Sequence, residues 1–306
     1  MNEIGKRITD KLIEIYGSKN FSIAFLPYKR SMWNSMESVY TECWSSGITS
    51  RVIPLPYQRI VDGKVESIDC DRDKFMAQAL DVKALEKEHF DFLVIHYPYD
   101  DKNKVTRMCP EYHTAQLRKY GKVVYIPYSC TNLRQLRVQP GIANVDYAFL
   151  GSEAEADAFV SEWAEFGVDF SGRVFGYGSP KMDAIQWCNH SDDGIKTAVV
   201  INSLGPYLAA PFARIDRYEQ VICQAKLKDY QVIFRPHPLL RQTIKSMRPD
   251  TETAFNEFIR WCDVHGVIVD ETEYLEETLS KADRLISDPS SVLEMWASTG
   301  REYIII

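Results

Sequence analysis

Short apolar runs alternate with helical stretches along most of the chain. Residues 4–16 keep a helical period that ends at Gly17, and an apolar run at 21–26 follows them. The predicted strands of the first half are 21–26, 51–56, 92–96, 123–127, 147–150 and 173–176, and its predicted helices are 4–16, 32–44, 83–89, 111–120 and 153–166. Such alternation is typical of a parallel sheet that helices cover on both faces.

A polar stretch at 189–196 separates this half from a second alternating half. It predicts a linker between an N-terminal domain, 1–188, and a C-terminal domain, 197–306. The second half predicts strands at 197–202, 231–235, 267–270, 284–287 and 303–306 and helices at 216–227, 252–265, 274–282 and 290–298. The predicted fold class is α/β, with two Rossmann-like, doubly wound parallel-sheet domains. Because such sheets bind ligands at the carboxyl ends of their strands, we expect a ligand in a cleft that the two domains face.

The amino-acid composition excludes some classes of protein. With 306 residues, of which 45% are hydrophobic and 26% charged, the chain can form two ordinary globular domains. A net charge of -7 argues against a nucleic-acid-binding protein, which normally carries a basic domain or stripe. The first residues show no signal peptide and no membrane-spanning segment, so we expect a cytoplasmic protein.

The cysteines and carboxylates do not indicate a metal site. The seven cysteines are far apart and include no Cys-x-x-Cys pair, which predicts reduced thiols rather than disulfides or zinc ligands. No carboxylate pair has clear metal-site spacing, so we assign no metal ligand. A magnesium ion on a bound diphosphate stays an open alternative.

The most informative motif is Arg235-Pro236-His237-Pro238, directly after the predicted strand 231–235. The two prolines restrict the backbone on both sides of His237, so its imidazole is held at the carboxyl end of a strand. Arg235 offers a planar donor fork that suits a phosphate. The alternative is a structural loop histidine that caps a neighbouring group.

A second motif, Ser287-Asp288-Pro289-Ser290-Ser291, again leads from a strand into a helix. Ser290 or Ser291 is predicted to cap that helix, and free backbone N–H groups at a helix start bind phosphate. An ordinary structural cap is an equally good interpretation of this motif alone.

A third motif, residues 176–183, closes the first half. Gly176 and Gly178 permit a tight turn, and Lys181 could present a cation to a ligand. Glycine-rich turns also end strands for purely structural reasons.

These motifs together resemble those of the CDP-glycerol glycerophosphotransferases, the teichoic acid polymerase and primase group, which have the GT-B fold. The resemblance is carried by GSPKMD at 178–183, FRPHPL at 234–239 and KADRLISDPSSV at 281–292. In the first half, AFLPYKRSMWNSMESVY at 24–40, VIHYPYDD at 94–101 and VYIPY at 124–128 resemble one branch of that group.

The resemblance implies an enzyme that transfers a polyol phosphate, typically glycerol phosphate, from a CDP-activated donor to a hydroxyl of a growing polymer or lipid-linked acceptor, with release of CMP. It needs no further cofactor and works in the cytoplasm, with the inner face of the membrane as a peripheral location. The implied catalytic residue is His237, and the implied donor-phosphate-binding residues are Arg235, Asp288, Ser290 and Ser291. We assign Lys29, Arg30, Ser179, Lys181 and Asp100 to the acceptor side.

The chain departs from that family's pattern in two places. It has no Trp-His-Gly triplet, whose histidine is implicated as a base, and the corresponding segment 125–128 contains no histidine. His96, which ends a predicted strand and is followed by Asp100 and Asp101, is the substitute base that we predict, although a satisfied core histidine fits equally well. The chain also ends within a predicted strand, which is expected either of a shortened relative or of a chain that lacks a segment.

Two other functions stay open. One is a GT-B glycosyltransferase or epimerase that uses a UDP-sugar, which the base of the bound nucleotide would distinguish. The other is an inert nucleotide-binding subunit of a system that assembles surface polymers, which binding without CMP release would reveal.

Overall fold

The structure, a computed structural model, describes residues 2–75, 79–98, 103–130, 134–186 and 194–306. The chain divides into two compact units. Unit 1 comprises Met1–Ile60 and Val65–Ala184, and unit 2 comprises Val61–Lys64 and Ile185–Ile306. Each unit is built around its own parallel sheet.

The first part of the chain, through residue 186, contains nine strands among the described residues. These are β1 (Ser22–Phe25), β2 (Thr49–Val52), β3 (Tyr57–Val61), β4 (Lys64–Asp69), β5 (Phe92–Ile95), β6 (Thr106–Met108), β7 (Lys122–Tyr125), β8 (Tyr147–Phe149) and β9 (Val174–Phe175). The α-helices are α1 (Glu3–Tyr16), α2 (Glu37–Ser45), α3 (Ala84–Lys87), α4 (Thr114–Leu117), α5 (Arg134–Arg137), α6 (Glu153–Ala164) and α7 (Lys181–Gln186). Short 3-10 helices cover Arg30–Ser35, Arg72–Lys74, Pro110–Tyr112 and Pro140–Asn144.

The main sheet of unit 1 has the order β2-β1-β5-β7-β8-β9, and all its strands are parallel. Its central strands are apolar throughout because both faces are covered. Side chains such as Ile23, Phe25, Phe92 and Val94 are fully buried in one core, against α1 residues such as Leu12.

A small sheet has the order β4-β3-β6, with β3 and β6 antiparallel, and its residues other than the hairpin tip Val61–Lys64 lie in unit 1. The sequence pattern did not predict these three strands. β4 is largely exposed, so apolar alternation was weak. Asp62 and Gly63 join β3 to β4 with positive φ angles of 49° and 73°, and this Asp-Gly pair is the hairpin signal that the sequence did contain.

The GSPKMD segment fixes the start of helix α1. Asp183 is fully buried, and its two carboxylate oxygens accept hydrogen bonds from the backbone N–H groups of Ile4 (3.1 Å) and Gly5 (2.8 Å). Gly178 has a φ of 105°, and a Cβ there would lie 2.9 Å from the Ile4 side chain. Both residues therefore have structural roles, since they hold the first helix against the end of unit 1.

Unit 2 contains the strands β10 (Thr197–Ile201), β11 (Gln231–Arg235), β12 (Ile268–Val269), β13 (Arg284–Ser287) and β14 (Glu302–Ile305). Its helices are α8 (Leu204–Ala209), α9 (Pro211–Lys226), α10 (Leu240–Met247), α11 (Glu252–Val264), α12 (Leu275–Ser280) and α13 (Ser291–Ala297), with a 3-10 helix at Pro249–Thr251. The sheet is parallel, with the order β12-β11-β10-β13-β14. Its core includes Val200, Phe234 and Ile286 from the strands and Tyr218 and Phe258 from the helices.

The predicted α/β class with parallel sheets is confirmed. The predicted strands 231–235 and 284–287 coincide with β11 and β13, whereas helices α8 and α10 were not predicted. The predicted helices 32–44 and 111–120 each consist of a 3-10 helix followed by an α-helix. The predicted linker lies mostly outside the described residues. Within the described part of the chain, no helix has the length and apolar character needed to cross a bilayer.

Candidate functional site

The strand order of unit 2 places a crevice at the carboxyl ends of β10 and β13. The chain runs from β10 outward to β11 and β12 and then returns to the other side of β10 as β13. At such a switch point the two following segments leave the sheet in opposite directions, and ligands of open α/β sheets bind there. The segments concerned are Asn202-Ser203 after β10 and 288–291 after β13, with 236–239 following the neighbouring strand β11.

His237 is fixed by one hydrogen bond to the loop after β10 and one within its own loop. Its backbone N–H donates to Asn202 Oδ1 (2.7 Å), and its ring Nδ1 accepts from the backbone N–H of Leu239 (3.1 Å). Since an N–H group can only donate, Nδ1 carries no proton and the neutral ring carries its proton on Nε2. The half-buried His237 ring is therefore oriented as an Nε2–H donor.

Asn202 connects the loops after β10 and β11. The residue is 1% exposed, and Oδ1 holds the His237 backbone while Nδ2 has no hydrogen-bond partner among the described residues. An unpaired buried amide costs about 1 to 3 kcal/mol of free energy of unfolding. This unpaired donor lies beside a fixed histidine, which favours the binding of a hydrogen-bond acceptor from a ligand.

Asp288 connects the loops after β10 and β13. Its fully buried carboxylate accepts hydrogen bonds from the Ser203 backbone N–H (2.8 Å) and the Tyr218 hydroxyl (2.8 Å) and forms an ion pair with Arg214. The Ser203 hydroxyl also donates to the Pro289 carbonyl (3.1 Å). Asp288 thus positions the loops, which differs from the predicted contact with a phosphate, since a buried carboxylate with these partners has no donor to offer.

The two adjacent serines have different environments. Ser290 caps α13, because its Oγ accepts from the Leu293 backbone N–H (3.2 Å) and lies 3.3 Å from Ser287 Oγ. Ser291 is the first residue of α13 and is half-buried, and its hydroxyl has no hydrogen bond within the described residues. Of the pair, Ser290 has the predicted capping role, and Ser291 has the hydroxyl that is available to a ligand.

Arg235 makes its contacts on the β12 side of the carboxyl edge of the unit 2 sheet. Its nearly buried guanidinium donates to Asp270 (2.6 Å), to the hydroxyls of Thr272 (3.1 Å) and Thr278 (2.9 Å) and to the Thr272 carbonyl (2.7 Å). Burial alone would raise the pKa of Asp270, but hydrogen bonds from the two threonines and the charge of Arg235 lower it to about 2. This corrects the sequence expectation: in this arrangement Arg235 holds the 270–278 segment instead of presenting its fork to a phosphate.

In unit 1, His96 lies at the equivalent switch point, after β5 and beside the end of β1. It is fully buried, its Nε2 accepts from the Tyr28 backbone N–H (2.9 Å), and its Nδ1 lies 2.9 Å from Ser35 Oγ. Ser35 donates its hydroxyl proton to the Met32 carbonyl (2.8 Å), so it accepts from Nδ1–H. Burial and, second, the charge of Lys181 lower the pKa of His96 to about 3.

The prediction that His96 acts as a base is therefore wrong, and the alternative of a satisfied core histidine is right. Both ring nitrogens have internal partners, and the ring has no exposed surface from which to take a proton. The acceptor-side base stays unassigned.

Lys29 and Arg30 lie against the small sheet of unit 1. Lys29 Nζ donates to the Tyr57 hydroxyl (3.0 Å), and Tyr57 in turn donates to Asp71 (3.3 Å). The Arg30 backbone N–H donates to the other Asp71 oxygen (2.9 Å), and the Arg30 guanidinium lies 5.6 Å from the Phe75 ring centre. Both cations are half-buried at the carboxyl edge of the sheet, after β1.

Of the remaining acceptor-side predictions, Ser179 and Lys181 are buried in unit 1. Ser179 Oγ has no hydrogen-bond partner among the described residues, and Lys181 is close enough to His96 to lower its pKa. Asp100 lies outside the described residues, as does Asp101. Within the described ranges no group of three or more His, Cys, Asp and Glu side chains could hold a metal ion.

Comparison with protein-family models gives no match, and comparison with the curated proteins gives none either. The fold, in contrast, is similar to several solved structures. A protein from Listeria monocytogenes assigned as a UDP-N-acetylglucosamine 2-epimerase has a TM-score of 0.59 at 12% identity, over 94% of this chain and 79% of that one. The UDP-GlcNAc 2-epimerase of Methanocaldococcus jannaschii, in complex with UDP-GlcNAc and UDP, has a TM-score of 0.55 at 11% identity, over 90% and 80%.

The wall teichoic acid polymerase TagF is also similar in fold, with a TM-score of 0.51 at 12% identity over 93% of this chain and 69% of that one. The chain therefore has the α/β architecture of GT-B proteins. At sequence identities this low, the similarity to these structures shows the fold alone.

Sequence reasoning missed Asn202, Ser203 and Tyr218, which organise the edge of unit 2. Asn202 and Ser203 directly follow the buried strand β10, so the rule that singled out His237 and Ser290 also applies to them. Tyr218 lies within a helix, and no local pattern connects it with Asp288, 70 residues later.

Proposed function

We propose that this chain is a GT-B-type transferase that binds a nucleoside-diphosphate-activated donor at the carboxyl edge of the unit 2 sheet. It moves glycerol phosphate, or a related polyol phosphate, from a CDP-activated donor to a hydroxyl of a surface-polymer or lipid-linked acceptor. The observation that carries the proposal is the buried amide of Asn202, whose Oδ1 holds the His237 backbone and whose Nδ2 has no hydrogen-bond partner among the described residues. A fixed, unpaired donor beside a switch-point crevice suits an oxygen of a diphosphate.

The chemistry follows from where charge develops. The acceptor hydroxyl oxygen attacks the outer phosphorus, the bond from that phosphorus to the bridging oxygen breaks, and CMP leaves with the bonding electrons. The hydroxyl proton goes to a base or to water. In such a reaction the leaving phosphate gains negative charge, and preorganised donors that meet this charge lower the barrier. His237 supplies such a donor as a neutral ring, and Ser291 offers a hydroxyl at the adjacent loop.

Preference for cytidine rests on the motifs FRPHPL and SDPSSV, which resemble the CDP-glycerol enzymes. The second candidate function is a UDP-sugar-dependent GT-B enzyme, because UDP-GlcNAc 2-epimerases are among the proteins of similar fold. The two candidates share the diphosphate site and differ in the nucleotide base.

A ligand panel tests the proposal. CDP-glycerol, CDP-ribitol, CMP, UDP and UDP-GlcNAc are each added to the protein, and thermal unfolding is followed. A ligand at 100 times its dissociation constant stabilises the folded state by about 2.7 kcal/mol, which is readily measured. We expect shifts with the cytidine compounds and none with UDP or UDP-GlcNAc.

Turnover is then measured as CMP released from CDP-glycerol in the presence of polyol-phosphate acceptors. A shift with UDP-GlcNAc alone would replace the CDP-polyol proposal by the UDP-sugar candidate. Binding of CDP-glycerol without CMP release from any acceptor would favour the inert subunit. No binding of any of the five ligands would contradict a nucleotide site altogether.

A further inference from the structure

A second surface of unit 2 lies between helices α9 and α11. It is an open groove of about 280 Å³, lined by Phe212, Ile215, Asp216, Glu219, Ala254, Glu257, Phe258 and Trp261. The lining residues of each helix recur at the spacing of one helical face, so the groove is a seam that runs along both helices. None of its described lining residues is basic.

The floor of this groove is apolar and aromatic. Trp261 stacks on Phe258 with ring centres 6.0 Å apart and on His265 at 4.1 Å, which gives a continuous aromatic face along α11. On α9, Phe212 is 55% exposed at one end of the groove. The exposed Phe212 and the half-buried Trp261 both line the groove and are apolar surface that a further apolar group could cover.

The rim of the groove carries three carboxylates, Asp216, Glu219 and Glu257. None of them forms a hydrogen bond or ion pair within the described residues, in contrast to carboxylates such as Asp183 and Asp288. Glu219 is half-buried, and burial and then the neighbouring Asp216 raise its pKa. Like charges held together in a partly desolvated groove are complementary to a cationic partner.

We propose that this groove binds a basic amphipathic helix of a partner protein. The volume is below the roughly 300 to 1,000 Å³ of small-molecule and cofactor pockets, so it suits a few apolar side chains better than a metabolite. A helix with apolar residues at i, i+3, i+4 and i+7 matches the seam, and flanking Lys or Arg side chains match the three carboxylates. This interaction is separate from donor binding and from the proposed transfer reaction.

The probe for the test is a synthetic alanine-based peptide with leucines at i, i+3, i+4 and i+7 and lysines at the flanking positions, titrated by calorimetry into the full chain. We expect saturable one-to-one binding that weakens with added salt. The same peptide with glutamates in place of the lysines should bind at least tenfold more weakly. The variant Asp216→Asn/Glu219→Gln/Glu257→Gln should also lose at least tenfold in affinity, and Phe212→Ala should reduce affinity too.

A matched control neutralises three exposed carboxylates elsewhere, as Glu86→Gln/Glu111→Gln/Asp157→Asn, and should keep the parent affinity within about twofold. Both triple variants should unfold at the same urea concentration as the parent or higher, since none of the replaced groove carboxylates forms a hydrogen bond or ion pair within the described residues. Equal losses in the two triple variants would overturn the proposal, because net charge alone would then explain binding. The proposal would also be overturned if the lysine peptide did not bind, or if spermidine bound the groove in its place. A third contrary result is that the groove variants abolish self-association of this chain without changing its affinity for the peptide.

Discussion

At the residue scale, the two ring nitrogens of His237 have separable roles. Nδ1 accepts from the Leu239 backbone N–H, so the neutral ring carries its proton on Nε2. The amide of Asn places an acceptor near the Nδ1 position, whereas the longer amide of Gln places a donor near Nε2. His237→Asn should therefore preserve the free energy of unfolding and lower CMP release about 10²- to 10³-fold.

His237→Gln should show the reverse pattern. It should turn over faster than His237→Asn, and its free energy of unfolding should be about 1 kcal/mol below that of the parent. Urea unfolding and CMP release at saturating donor measure the two effects. If both variants turn over like the parent, His237 is structural. If Gln is as inactive as Asn, the ring acts as a charged acid and the neutral-donor assignment is wrong.

His96 gives the fold a dependence on pH. Its pKa is about 3 in the folded protein and 6.5 in an unperturbed chain, so between these values the unfolded chain binds more protons. The free energy of unfolding contributed by His96 is thus complete above pH 6.5 and falls by about 1.4 kcal/mol per pH unit as the pH drops through that window. His96→Gln should be less stable than the parent near pH 7 and lose less stability on acidification.

Urea midpoints of parent and variant near pH 7, 6 and 5 check this expectation. The carboxylates titrate mostly below that range, so the difference between the two proteins isolates the histidine. A constant difference at all three pH values would show that the folded protein does not lower the pKa of His96.

The sequence could identify which residues lie at strand ends but not which way their side chains face. His96 and His237 both follow strands, and the local pattern allows a site role for either. Only the folded neighbours distinguish them: Tyr28 and Ser35 occupy both nitrogens of the fully buried His96, whereas the His237 ring is half-buried and its Nδ1 accepts from Leu239. Arg235 was misassigned for the same reason, because its partners are 35 to 43 residues away in the chain.

At the element scale, the pair of Arg235 and Asp270 connects β11 to the segment after β12. Both side chains are largely buried, with 5% and 14% of their surface exposed, so removal of one partner leaves a poorly solvated charge. Arg235→Met should lower the free energy of unfolding by about 3 kcal/mol, and the double variant Arg235→Met/Asp270→Leu should recover part of this loss.

Urea unfolding of the two variants and of Asp270→Leu alone completes a double-mutant cycle for the Arg235–Asp270 pair. If Arg235 instead contacts the donor phosphates, Arg235→Met would weaken CDP-glycerol binding while the urea midpoint stayed at the parent value, and the structural assignment would fail.

Helix α1 depends on a cap from a distant residue. Because Asp183 accepts from the N–H groups of Ile4 and Gly5, Asp183→Ala should cost about 1 to 2 kcal/mol of unfolding free energy. Asp10→Ala on the same helix is the matched control, since Asp10 forms only an exposed pair with Lys6 and should change stability by less than about 0.5 kcal/mol. Equal urea midpoints for the two variants would show that α1 does not need this cap.

Elements with a strong apolar period were predictable, and the others were not. β11 and β13 are continuous apolar runs next to turn residues, so their bounds followed from the sequence. β4 lies exposed in a three-stranded sheet, and its stability comes from pairing with β3 and not from its own pattern. Helix α10 was not predicted because it begins two residues after Pro238, in a stretch that the prolines mark as a loop.

At the scale of the whole molecule, the two parallel sheets have the same kind of switch point but place different side chains there. In unit 1 the crevice beside β1 and β5 is closed by His96 and by Tyr28, which stacks on Tyr97 with ring centres 4.4 Å apart. In unit 2 the half-buried Ser291 hydroxyl has no hydrogen bond and Asn202 Nδ2 has no partner among the described residues, whereas the Tyr28 hydroxyl of unit 1, also without a partner there, belongs to a fully buried side chain. This contrast assigns donor binding to unit 2 in our proposal.

Hydrogen exchange with and without CDP-glycerol tests that assignment most directly. At donor concentrations that saturate thermal stabilisation, exchange should slow in 202–206, 236–240 and 288–292, the three segments that follow β10, β11 and β13, because a bound diphosphate restricts the local opening of these loops. His237→Asn should reduce the protection in all three segments together. Binding that protects only segments of unit 1, or only helices α9 and α11, would contradict a donor site at the carboxyl edge of the unit 2 sheet.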